Sequence, residues 1–111
     1  MAKVARALQS ARGQAADGLY EVAEEMMTES KQRVPVDTGA LKNSGHVEKP
    51  QDTGENISVA LGYGGPSAEY ALTVHEDLDA LHKVGEAKYL ESVVREYAPY
   101  VLERVAKAIR F

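Results

Sequence analysis

The 111 residues, 12.0 kDa, make one domain that can bury about two-thirds of the surface its unfolded chain would expose. Hydrophobic residues are 44% of the chain but aromatics only 6%, with no Cys and no Trp, so the core is built of Ala, Val, Leu and Met, and disulfides and thiolate metal sites are excluded. The net charge of -4 falls in the centre, where 34–85 holds three basic and eight acidic residues between two nearly neutral ends; no basic patch with interleaved aromatics exists to wrap nucleic acid.

The spacing predicts a helix over 3–33. Val4, Leu8, Ala11, Ala15, Leu19, Val22 and Met26 recur at steps of three and four and form one apolar stripe. Met26 and Met27 are expected in the core. Lys31 and Arg33 stand near the C-terminal end, where the helix dipole favours cations. Gly13 and Gly18 each cost about 1 kcal/mol relative to Ala, which suggests a split between an N-terminal arm, 1–16, and a firmer helix from about Asp17. An unbroken helix of this length reaches roughly 45 Å, more than a domain with a radius of gyration near ~13 Å covers. Part of it should project or pack on a neighbouring subunit.

Val34-Pro35-Val36-Asp37-Thr38-Gly39-Ala40-Leu41 ends that helix. Pro35 stops it, Asp37 or Thr38 can cap a new short turn, Gly39 permits close backbone approach, and Leu41 is the expected apolar anchor. Ser44–Lys49 reads as a short strand and Pro50–Glu55 as a loop. Ile57, Val59, Leu61 and Tyr63 alternate with small or polar residues in the clearest strand of the chain. Gly64-Gly65-Pro66-Ser67 forces a turn, and Tyr70–Val74 is a further extended piece. Residues 76–85 read as an acidic loop. From Glu86 a second helix carries Leu90, Val93, Val94, Tyr97, Val101, Val105, Ala108 and Ile109 on one stripe, with Pro99 off it as a kink. The expected fold is α+β in a single domain, 1–111: a long N-terminal helix, a small antiparallel sheet of two to four strands, and a long kinked C-terminal helix packed on the sheet.

No catalytic or cofactor-binding constellation emerges. His75-Glu76 resembles half of a zinc-protease motif, but Asp79 stands where the second His belongs. A metal site from His75, Asp77, Asp79 and His82 is conceivable, against the plainer reading of solvated loop residues. Gly62-Tyr63-Gly64-Gly65 lacks the Lys-Ser/Thr of a phosphate loop. Tyr70, Tyr89, Tyr97 and Tyr100 lack the surrounding cations of a base-stacking platform. No stretch has the length of a membrane span and no leader-like segment opens the chain, so the expectation is a soluble protein made in the cytoplasm.

Three stretches in order resemble a known family: Pro35-Val36-Asp37-Thr38-Gly39-Ala40-Leu41 after a long helix, Tyr70-Ala71-x-x-Val74-His75-Glu76, and Gly85-Glu86-Ala87-Lys88-Tyr89-Leu90-Glu91 leading into the last helix. Together they are similar to the head–tail joining and tail-completion proteins of tailed bacteriophages, the minor capsid and tail-component group. The resemblance covers about Val34 to the end. Many relatives carry aromatic-Gly-Thr after the third strand, where this chain has His75-Glu76-Asp77-Leu78. The resemblance implies an α+β fold, no catalysis, no cofactor and no membrane. It implies a ring of identical subunits, a hexamer, in the virion neck between the connector or head-closure proteins and the tail tube, as tail terminator or head-closure component. Such a ring assembles in the host cytoplasm and passes DNA without sequence-specific binding. Its motif residues here are Pro35, Asp37, Thr38, Gly39, Leu41, Tyr70, His75, Glu76, Gly85, Tyr89 and Leu90. In a ring, Asp52, Glu55, Glu69, Glu76, Asp77 and Asp79 are candidates to face the lumen or a docking surface; the alternative is solvated loops that keep the protein soluble. The rival functions are a small metal-dependent hydrolase using His75 and His82, or a nucleic-acid-binding regulator.

Overall fold

A computed structural model describes residues 2–34, 43–63, 70–75, 81–84 and 88–109. Helix α1 (Ala2–Arg33) runs unbroken for 32 residues. The split expected at its glycines does not occur, and packing supplies the reason at one of them. A Cβ built on Gly18 would stand 2.7 Å from Ala108 Cβ and 3.4 Å from Val105 Cα. At Gly18 a second helix packs close against α1, so the missing side chain that weakens the helix locally is what lets the helices touch there.

Five antiparallel strands follow: β1 (His46–Val47), β2 (Gln51–Asp52), β3 (Asn56–Gly62), β4 (Tyr70–His75) and β5 (Leu81–Val84). They occupy four positions, because β1 and β2 lie end to end along one edge of β3, followed by β4 and β5. Val47 pairs with Leu61 and Gln51 with Ser58, so this edge holds one residue more than β3 does between those pairs. That is a bulge at 48–50, and it admits Pro50, which has no N–H to give a ladder. Two stretches expected as loop are therefore partly strand: Gln51–Asp52, and Leu81–Val84 within the acidic segment.

Ile57, Val59 and Leu61 point into the core, and register pairs them with Val74, Leu72 and Tyr70 of β4, of which Leu72 is buried with them. Between them, Asn56, Ser58 and Ala60 of β3 pair with His75, Thr73 and Ala71 of β4. Helix α2 (Lys88–Ala108) closes the chain and continues on both sides of Pro99, which is exposed. It runs antiparallel to α1: Gly18 meets the Val105 end, and Arg33 reaches Ser92.

One core joins all three parts. Ala15, Leu19, Val22, Ala23, Met26 and Met27 of α1, Leu90, Val93, Val94, Val101 and Val105 of α2, and Ile57, Val59, Leu61 and Leu72 of the sheet are all buried. Helix α1 is the common neighbour. One flank of its stripe meets α2 and the other the sheet, while α2 reaches the strands mainly through the shared side-chain core. Inside this core Ser30, fully buried, shares a 2.7 Å hydrogen bond with the Tyr63 hydroxyl and ties the end of α1 to the end of β3. The sequence stripe thus holds from Ala15 onward. Leu8 on the same stripe is 58% exposed.

Candidate functional site

The exposed start of α1 is the first candidate surface. Among the described residues, the tie to the body nearest its start is Arg12, whose Nε donates to Asp52 Oδ2 at 2.8 Å and whose Nη2 donates to Oδ1 at 2.5 Å. Beyond that tie the helix runs on for about three turns at 3.6 residues each. Arg6, Leu8, Gln9 and Ser10 are exposed there. The chain is 57 Å along its longest axis against 26 and 19 Å across, and its radius of gyration of 14.9 Å exceeds the ~13 Å of a compact chain this long.

The second surface is a shallow furrow along the outer side of the helix pair. Glu21, Glu24, Glu25, Thr28, Glu29 and Tyr97 line one stretch, and Glu96, Tyr97 and Tyr100 the adjoining one. Two guanidinium clamps cross it. Arg104 donates from Nη1 to Glu25 Oε1 at 3.1 Å and from Nη2 to Oε2, with Glu21 3.5 Å away. Arg33 donates to both carboxylate oxygens of Glu96, to Glu29 Oε1 at 3.2 Å and to Ser92 Oγ at 2.9 Å. The hydrogen bonds from Arg104 and Arg33 hold the Glu25 and Glu96 carboxyls below the usual range, and the bond to Glu24 raises the Tyr20 phenol. Tyr100 is 59% exposed; it and Leu8 are the large hydrophobic side chains left exposed among the described residues.

The third surface is the β2–β3 hairpin. Thr53 N donates to Asn56 O at 3.0 Å, and Gly54 and Glu55 form the two-residue tip. Gly54 has φ +92°, the left-handed region that the first central position of such a turn requires, and its N–H donates to Asp52 Oδ1 at 2.9 Å. Asp52 therefore serves the fold at two points. The Arg12 guanidinium and then the Gly54 N–H bring its carboxyl down to about 2.

The sequence-predicted site residues divide as follows. Asp52 is engaged by Arg12, whereas Glu55 stands exposed at the hairpin tip. Leu90 is fully buried in the core. Tyr70 opens β4 opposite Leu61, His75 ends it opposite Asn56, and His82 of β5 lies opposite Thr73. Tyr89 lies in the first turn of α2. Pro35, Asp37, Thr38, Gly39, Leu41, Glu69, Glu76, Asp77, Asp79 and Gly85 lie outside the described residues. Among the described residues no cluster of His, Cys, Asp or Glu has the arrangement of a metal site, and no helix is long and apolar enough to cross a membrane. Sequence reasoning missed the Arg12–Asp52 pair and the carboxylate furrow. The pair joins positions 40 residues apart, which no local pattern reveals. The furrow was foreshadowed by Glu21, Glu24, Glu25 and Glu29 lying off the apolar stripe.

The arrangement defines a small, elongated α+β domain whose distinctive features are a helix overrunning its own core and a charged helical face, the materials of subunit contacts. A family model described as "Bacteriophage HK97-gp10, putative tail-component" matches residues 1–101. The chain belongs to this HK97-gp10-like family, and its role is that of a structural component of the phage tail and virion. No curated protein and no solved structure matches the chain.

Proposed function

We propose that the protein forms a closed ring of identical subunits, a hexamer, in the virion neck, joining the connector or head-closure proteins to the tail tube and performing no catalysis. The observation that carries this reading is the overrun of α1: about three turns lie beyond the Arg12 tie, with Leu8 exposed on a stripe that elsewhere fills the core. An apolar stripe continued past its own fold supports burial against a neighbour. Tail-component membership supports the same reading, since virion parts work by contact with other virion proteins. A head-to-tail contact repeated by rotation closes into a ring when the angle permits. The acidic centre suits the wall of a DNA channel, because phosphates are repelled there rather than retained, within the ~8 Å over which charge acts at physiological salt. Glu55, Glu69, Glu76, Asp77 and Asp79 are the residues proposed for the lumen or a docking face.

Deleting residues 1–11 tests the carrying observation. The truncated protein is expected to melt within a few degrees of the full chain and to lose self-association in sedimentation velocity. Retained association after truncation would remove the helix overrun as the support for the ring.

A further inference from the structure

The first eleven residues and the helical furrow have opposite chemistry. Residues 2–11 contain Lys3 and Arg6 and no acidic residue; the first carboxylate of the chain is Asp17. The furrow sets five carboxylates, Glu21, Glu24, Glu25, Glu29 and Glu96, against the guanidiniums of Arg33 and Arg104. The arm also brings an apolar side chain, Leu8, that its own chain leaves 58% exposed. The furrow offers an aromatic surface beside its carboxylates, Tyr97 and the 59% exposed Tyr100. Dimensions agree as well: ten residues of helix are about 15 Å long, and the furrow residues from Glu21 to Glu29 span about 12 Å along α1.

We propose that residues 2–11 of one copy lie in the α1–α2 furrow of a second copy, in a head-to-tail contact. The inference rests on the ring reading and names the contact that builds it. It cannot be satisfied within one chain, because residues 2–11 and Glu21–Glu29 belong to one unbroken helix. Leu8 meets Tyr97 and Tyr100, and Arg6 meets Glu21 and Glu24, the carboxylates that the two guanidinium clamps hold least closely. The contact is heterologous: each copy gives an arm on one side and a furrow on the other, so a dimer leaves one of each unfilled and association continues until the ring closes.

Charge reversal on the full chain, read by sedimentation equilibrium, tests the contact. Arg6→Glu and Glu24→Arg should each weaken self-association roughly tenfold, through loss of the ion pair and gain of like charge. The combined variant should return to within about threefold of the parent, since it restores a pair of opposite charges. Leu8→Ser should weaken association roughly tenfold while leaving the melting temperature unchanged, because Leu8 is outside the monomer core. If Glu24→Arg lowers the melting temperature, Glu21→Arg takes its place. Parent-like association of Arg6→Glu and Leu8→Ser, with the parent itself forming a ring, would overturn the arm-in-furrow contact and leave the ring standing. A parent chain that stays monomeric, alone and with connector and tail-tube proteins added, would overturn both.

Discussion

Two glycines in one helix face different surroundings, and the pair isolates the packing between α1 and α2. Gly13 and Gly18 both sit inside α1, so replacing either with Ala gains the same intrinsic helix preference, about 1 kcal/mol. A Cβ at Gly13 would meet no heavy atom within 4 Å among the described residues, and that gain should appear undiminished. A Cβ at Gly18 would come within 2.7 Å of Ala108 Cβ, with the Val105 and Arg104 backbone close behind. None of these is the loose end of a long side chain, so the helices must separate, which costs about 1–3 kcal/mol in a packed contact. The expected result is Gly13→Ala more stable by about 1 kcal/mol and Gly18→Ala between neutral and about 2 kcal/mol less stable. Urea melts followed by circular dichroism at one protein concentration measure both. Equal stabilisation by the two substitutions would refute the close approach of the helices at Gly18.

Acid unfolding should report the Arg12–Asp52 pair. The folded Asp52 carboxyl lies at about 2, below its ordinary 3.8, so its contribution is complete above pH 3.8 and is lost as pH falls toward 2; Asp52→Asn should flatten the stability–pH curve in that window, and an unchanged slope would rule the pair out. Replacing Leu19, fully buried in α1, with Ala should cost about 2–5 kcal/mol by the same melts, and a cost under 1 kcal/mol would contradict its place in the core. Neutralising Glu76, Asp77 and Asp79 together, to Gln, Asn and Asn, should leave expression intact and reduce neck docking or DNA ejection, scored as particle infectivity; full infectivity would remove this segment from the lumen or docking face.

Legibility in the sequence followed how local each structural cause is. The stripe from Ala15 to Met26 and the alternation Ile57, Val59, Leu61 were readable because each repeats one burial decision at a fixed period. Strand β2 was not: Gln51 and Asp52 are polar and exposed, and only β3 alongside makes them a strand. Strand β5 hid in an acidic stretch for the same reason, since Leu81–Val84 takes its extended form from pairing with β4. Gly18 was read as a weakness of the helix because propensity is a property of one residue, whereas the contact with Ala108 belongs to two helices. The candidate surfaces were half legible. An overlong helix and a one-sided run of glutamates are sequence facts, but the furrow exists only once Tyr97 and Tyr100 of α2 are laid against that run. Asp52 shows the converse: charge made it a candidate for the lumen or a docking surface, and its pairing with Arg12 was invisible in the sequence.

The most direct test of the account is the assembly state of the pure full-length chain, taken by native mass spectrometry and negative-stain microscopy across a range of concentrations and again with the connector and tail-tube proteins present. The account predicts one discrete closed oligomer, six copies in a ring with a central opening. A monomer under every one of these conditions, or open-ended filaments with no closed form, would contradict it.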